Sequence, residues 1–349
     1  MAASPPTLRG EPPTGAVGDY RRRVPFPVSR RGVLAAGLIG GLWLPSGCRS
    51  SDDVDALRIM VPNAPGGGYD TTARNLGEVL EGLGLTGHIE VFNVEGASGL
   101  VGLARTAHER GDGDLMMMMG LGVVGALMTQ KSVVSFDQVT AVGRLISEPE
   151  VVAVAAGSRF ATLEQLVTAW VRSPSSVRIG GGSSPGGPDH LCAHLLAEAA
   201  GIDPREVRYT RYDGGGPLLA ALFANQVDVA VSGVGEYIAQ FRNEELRFLA
   251  VTSQEPVAGL PAPTVREQGV DLEFGNWRGL VAPPHLTAGD RGRLEKLLVE
   301  MRGSSPWQAV VDANGWTDEL LLGPQFASFI AEERARVARV LEALDLLSA

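Results

Sequence analysis

Three glycine-rich stretches hold the residue types best suited to chemistry. The first is Pro62-Asn63-Ala64-Pro65-Gly66-Gly67-Gly68-Tyr69-Asp70, running on into Thr71 and Thr72. The second is Gly180-Gly181-Gly182-Ser183-Ser184-Pro185-Gly186-Gly187-Pro188-Asp189-His190, and the third is Tyr212-Asp213-Gly214-Gly215-Gly216-Pro217. Each stands between a short apolar run and a segment of helical periodicity. Glycine lets backbone approach a guest closely, and the unbonded amides that open a helix turn partial positive charge toward it. The chemistry this offers is anion binding by main-chain N–H groups. Pro217 suits a first helical turn, where the amide it lacks would be unbonded anyway. Asp70 reads as a cap on the amides that follow it, and Tyr69 as an apolar cover or a hydroxyl donor.

Other chemistries fit less well. Gly182-Ser183-Ser184-Pro185-Gly186 matches the G-x-S-x-G elbow of serine hydrolases, yet the residue after the serine must give an oxyanion-hole amide and here is Pro185. No glycine stretch ends in the Lys-Ser/Thr of a nucleotide-binding P-loop. The histidines His88, His108, His194 and His285 are unpaired by spacing, so neither a metal nor any other cofactor is expected. Four consecutive methionines, Met116 to Met119, alternate between the faces of a strand and read as core. Arg144, Arg211 and Arg278 fall near loops or crossings, where a guanidinium fork can grip a second carboxylate. His190 stands at the start of an apolar helix, either touching the guest or packing at the helix end.

The elements that must position these groups alternate, strand then helix. Strands are expected at Leu57 to Val61, His88 to Val94, Asp114 to Met119, Val151 to Ala156, Val177 to Gly180, Val207 to Tyr209, Val227 to Val231, Leu246 to Val251 and Leu280 to Ala282, with helices between them. This is the pattern of an α/β fold with a mostly parallel sheet. The chain is too long for one compact sheet, so residues 56–140 with 275–349 are expected to build one lobe and 155–255 the other. Residues 141–154 and 256–274 then cross between them, and a ligand sits in the cleft at the strand C-terminal ends.

The first residues read as an address. Arg21 to Arg23 precede Ser29-Arg30-Arg31-Gly32-Val33-Leu34, which resembles a twin-arginine export signal, and the apolar stretch Val33 to Trp43 is too short to span a bilayer. Leu44-Pro45-Ser46-Gly47-Cys48 resembles a lipoprotein processing box, with Pro45 where a branched aliphatic residue usually stands. Residues 1–47 are read as an export signal, Cys48 as the lipidated residue and 48–55 as a linker, so the protein is anchored to a membrane rather than spanning it. Cys192, the other cysteine, sits among leucines as a core thiol. The chain carries −10 overall, and a leader of +4 (six arginines, two acids) leaves about −14 for the rest, which excludes nucleic acid as a partner.

Taken in order, the three glycine runs, with Ala73-Arg74 after the first and Gln226-Val227-Asp228 after the third, resemble the substrate-binding receptors of tripartite tricarboxylate transporters, the Bug family. The resemblance spans about Leu57 to the C-terminus. It implies a two-lobed, type II periplasmic-binding-protein-like (Venus flytrap) fold that closes on a small organic anion. It implies a monomer that serves the membrane subunits of such a transporter, with a di- or tricarboxylate such as citrate as guest. The ligand-binding residues it implies are Ala64, Pro65, Gly66, Gly67, Gly68, Tyr69 and Asp70 from the first loop, Ser183, Ser184, Gly186, Gly187 and His190 from the second, and Asp213, Gly214 and Gly215 from the third. Gly187 and Pro188 stand where many members carry hydroxyl side chains. A sensory accessory docking on a membrane kinase is the alternative role; a serine hydrolase is the remote one.

Overall fold

The structure, a computed structural model, describes residues 56–348. The leader, Cys48 and the linker lie outside the described residues. In chain order the elements are β1 (Leu57–Val61), α1 (Gly68–Gly82), β2 (Ile89–Asn93), α2 (Leu100–His108), β3 (Leu115–Gly120), α3 (Leu121–Thr129) and β4 (Thr140–Ala155). There follow α4 (Leu163–Arg172), β5 (Arg178–Gly181), α5 (Pro188–Ala199), β6 (Arg208–Arg211), α6 (Gly215–Phe223), β7 (Val229–Gly233), α7 (Val234–Arg242) and β8 (Leu246–Val251). The chain ends with β9 (Gly275–Ala282), α8 (Ala288–Arg302), α9 (Ser305–Asn314), β10 (Thr317–Leu322) and α10 (Gly323–Ala343).

The fold is mixed α/β and two-lobed, and one arrangement occurs twice. In the first lobe β1 lies between β2 and β3, all parallel. In the second, β5 lies between β6 and β7, again parallel. Residues 141–154, read above as a crossing, belong to the 16-residue strand β4, which serves both lobes. As far as Pro149 it runs antiparallel to β9, with β10 also pairing along Gly143 to Ser147; from Glu150 onward it pairs with β7 and β8. Strand order reverses beside β1 and beside β5, and crevices open at the strand C-terminal ends at such points. The first and second glycine loops follow these two strands.

Apolar residues on the two faces of the sheet separate into cores. Met116 and Met118 join Leu57, Ile59 and Val61 under α1, α8 and α9, whereas Met117 and Met119 join the opposite core; all four are fully buried. A third cluster sits under α6 and α7. The core containing Met117 runs beneath both lobes and includes Phe326, Ile330, Val337 and Leu341 of α10, which packs on α3, α5 and β4. The first half of β4, and α3, α9 and β10, do not stand out in the sequence. Helix α3 is apolar nearly all round because neighbours cover it, so it shows no polar stripe.

Candidate functional site

The first loop is shaped by a carboxylate. Gly66 adopts φ 86°, and its N–H donates to Asp70 Oδ2 at 2.9 Å. Arg74 grips the same carboxylate through Nε (2.9 Å) and Nη2 (3.0 Å), and Asn93 donates at 3.0 Å. Burial pushes the Asp70 pKa up, but the bonds from Arg74, Gly66 and Asn93 outweigh it and hold it below the usual value. Asp70 is thus consumed in holding the turn, while the amides at the start of α1 keep no intrahelical partner. Tyr69 backs onto Gly120 and Gly122, and burial, opposed by Arg278, pushes its hydroxyl up to about 12. It stays protonated and can donate.

The second loop repeats the turn with a neutral acceptor. Gly186 adopts φ 82°, and its N–H donates to His190 Nδ1 at 3.4 Å. Burial pushes the His190 pKa down to about 4, so the ring is neutral near pH 7 and its nitrogen can accept. The ring stacks on His194 at 4.3 Å. Ser183 Oγ accepts from the His190 amide at 3.3 Å, and Asp189 Oδ2 accepts from the Gly182 amide at 2.6 Å. Gly186 also meets the backbone of Gly125 on α3, so the lobes touch there main chain to main chain. A side chain at either glycine has no room.

The third loop is tied to the second, since Gly214 donates to the Gly182 carbonyl at 3.0 Å. Gly215 opens α6 against the Glu236 carboxylate, and Tyr237 Oη donates to the Gly215 carbonyl at 2.9 Å. At the rim Arg211 pairs with Asp213 at 2.6 Å.

Between these loops lies a cleft of about 880 Å³. Ala64, Pro65, Gly66, Gly67 and Tyr69 line it from one lobe, and Ser184, Asp213, Gly214 and Gly215 from the other. An inner chamber of about 200 Å³ continues it past Gly68, Ser183, Asp189 and Arg278. Asp70, Gly186, Gly187 and His190 are absent from both linings and stand behind them as supports. Another hollow, about 350 Å³ beside Leu127, Phe136 and Arg334, contains none of the loop residues.

Of the three arginines, Arg278 reaches the inner chamber. It is 3% exposed, pairs with Glu148 and donates to Thr72 Oγ1 at 3.1 Å. Arg211 is at the rim, and Arg144 is engaged elsewhere, with Glu319 and over the Phe329 ring. Sequence reasoning missed Asn63, Gly122, Glu236, Tyr237 and Asn276, which also line the cleft. The same rule that found the three loops points to most of their neighbourhoods, because glycines also mark the junctions at Gly96 and Gly99, Gly120 and Gly122, and Gly233 and Gly235. Among the described residues no group of three or more His, Cys, Asp or Glu side chains is arranged to hold a metal ion.

Known proteins are similar to this chain in sequence and in fold. The sequence profile of the tripartite tricarboxylate transporter family receptors (TctC) matches residues 73–346. A UPF0065 protein from the TAR-I ttuE-ttuC' intergenic region of Agrobacterium vitis is 29% identical over 246 residues, covering 69% of this chain and 70% of that one. In fold, the chain is similar to R. palustris Rpa4515 with adipate (TM-score 0.73, 21% identity, 83% of this chain and 97% of that one). It is likewise similar to MatC from Rhodopseudomonas palustris with bound malate (TM-score 0.68, 23% identity, 82% and 98%).

Proposed function

The chain belongs to the tripartite tricarboxylate transporter receptor family, a family of solute-binding receptors, and we propose that its cleft captures a small di- or tricarboxylate and presents it to a membrane transporter. The observation that carries this reading is the row of unbonded amides that opens α1. In one lobe they look across the cleft toward Ser184 and Gly216 of the other. Amides in such a cleft replace water around a carboxylate, and their hydrogen bonds strengthen as closure excludes solvent. Adipate and malate, held by two proteins of this fold, are dicarboxylates, which supports the same class here.

A thermal-shift screen with citrate, tricarballylate, malate, adipate, amino acids and aromatic acids tests the reading. A true ligand at 100 times its Kd stabilises by about 2.7 kcal/mol, a shift of several degrees. Gly67→Leu, which crowds Asn63 Nδ2 at 3.1 Å, removes that shift. No shift from any carboxylate refutes the proposal.

The resemblances around Arg30-Arg31 and Cys48 support a twin-arginine-exported protein held at the outer face of the cytoplasmic membrane by a lipid. Cys48→Ser then moves the receptor from the membrane fraction to the soluble one. A wild-type protein already soluble after fractionation refutes the anchor.

A further inference from the structure

Three donors at the inner end of the cleft are already engaged within the protein. The Gly182 amide bonds Asp189, Gly215 lies against the Glu236 carboxylate, and Arg278 bonds Glu148 and Thr72. What remains is a surplus of carboxylate oxygens. Asp189 comes from α5, Glu236 from α7, and Glu150 from β4 just behind the chamber. Glu150 pairs across the ladder with Gly233, a lining residue with no side chain to screen it. Two apart on one strand, Glu148 and Glu150 point to the same side, and the Glu148 carboxylate lies at Gly233. Glu150 is fully buried, and neither of its carboxylate oxygens has a hydrogen-bond partner.

The charged and titratable groups that line the chamber are Asp189 on α5, Glu236 on α7, Tyr69 on α1 and Arg278 on β9, with Glu148 and Glu150 of β4 and Tyr237 of α7 behind them. One arginine, itself paired, stands among four acids. A ligand carboxylate placed against those acids would be repelled, and unpaired buried charge is costly. A primary ammonium instead brings positive charge and three N–H donors on a compact head.

Resting on the carboxylate reading above, we propose that the inner chamber is a subsite for a primary ammonium group held by Asp189 and Glu236, so that the solute is an amino-substituted di- or tricarboxylate. Its carboxylate then meets the amides that open α1, and its amine points inward. Burial and Glu236 push Asp189 up to about 7, while burial, then Asp189 and Glu148, push Glu150 well above the carboxylate range. A cation in the chamber relieves that repulsion.

Isothermal titration of the full chain at pH 7.5 with matched pairs tests this: aspartate against succinate, and 2-aminoadipate against adipate, with malate as the hydroxyl case. The amino member of at least one pair is expected to bind 100-fold or more tightly than its plain diacid. Glu236→Gln, and separately Asp189→Asn, should cut that ratio at least tenfold. Plain diacids binding as tightly as their amino partners overturn the inference and leave the carboxylate reading standing. So does a diacid that binds tenfold more tightly at pH 5.5 than at pH 8 with the gain lost in Glu236→Gln, because the acids then share a proton with a carboxylate. Failure of every carboxylate, aminated or not, removes both readings.

Discussion

The first and second glycine loops are two versions of one turn. Gly66 and Gly186 have φ of 86° and 82°, and the helix-opening Gly67 and Gly187 match to within a degree (φ −79°, ψ 173° and φ −78°, ψ 172°). In each, the first glycine's amide reaches the side chain four residues on. That acceptor is the Asp70 carboxylate in one loop and a neutral His190 nitrogen in the other. Four further residues along, Arg74 neutralises Asp70, whereas His194 stacks on His190. The turn thus requires an acceptor at that spacing and is indifferent to its charge. Charge separates the loops instead: at the position of Tyr69 the second loop places Asp189, so the first offers the cleft a hydroxyl and the second an acid. Their surroundings differ too. Gly66 is open, and Gly186 is pressed on Gly125.

The largest effect that tests this comparison comes from adding one methyl group to each glycine. Gly66→Ala meets nothing within 4 Å and pays only for its left-handed backbone, about 1–2 kcal/mol. Gly186→Ala bears the same cost and drives its Cβ to 2.9 Å from the Gly125 Cα, so a total loss of about 3 kcal/mol or more is expected. Denaturant unfolding of the two variants checks this; equal losses would mean that the contact between lobes is not a tight one.

A smaller effect follows from acid. His190 titrates near 4 when folded and near 6.5 when unfolded, so between those values the unfolded chain binds more protons and stability falls as pH drops. Asp189, raised to about 7, has the opposite sign: the folded chain binds more protons below that pH, and acidification relieves its burial. Relative to wild type, His190→Asn is expected to lose about 2 kcal/mol less between pH 7 and pH 5. Asp189→Asn is expected to lose more than wild type over the same interval. Parallel pH profiles for all three proteins would show that the two groups carry no such opposed linkage.

The glycine loops were legible because conformation dictates them: Gly66, Gly186 and Gly214 have positive φ, and sequence shows where such residues cluster. Strands β1 and β8 are apolar runs with clear ends and match the expected bounds. The first half of β4 was not legible, since Glu148-Pro149-Glu150 looks like a loop. Those residues form ladder only because β9 and then β7 and β8 come from far along the chain. The same distance hid the inner chamber. Glu150 and Glu236 are ordinary acids in sequence, and only the crossing of β4 with β7 gathers them near Asp189. Asp70, Gly186, Gly187 and His190 lie in the right motifs but behind the cleft wall, because periodicity tells which residues open a helix and not which way each group faces.

Strand β4 has one more consequence. Because the same 16 residues complete both sheets, and the apolar layer around Met117 is continuous from one to the other, neither half keeps its interior if cut away. A single cooperative melting transition is therefore expected, not two in turn, and calorimetry checks it. Pro149 and Glu150, where its hydrogen-bonding partners change, mark the point at which this shared spine passes from one sheet to the other.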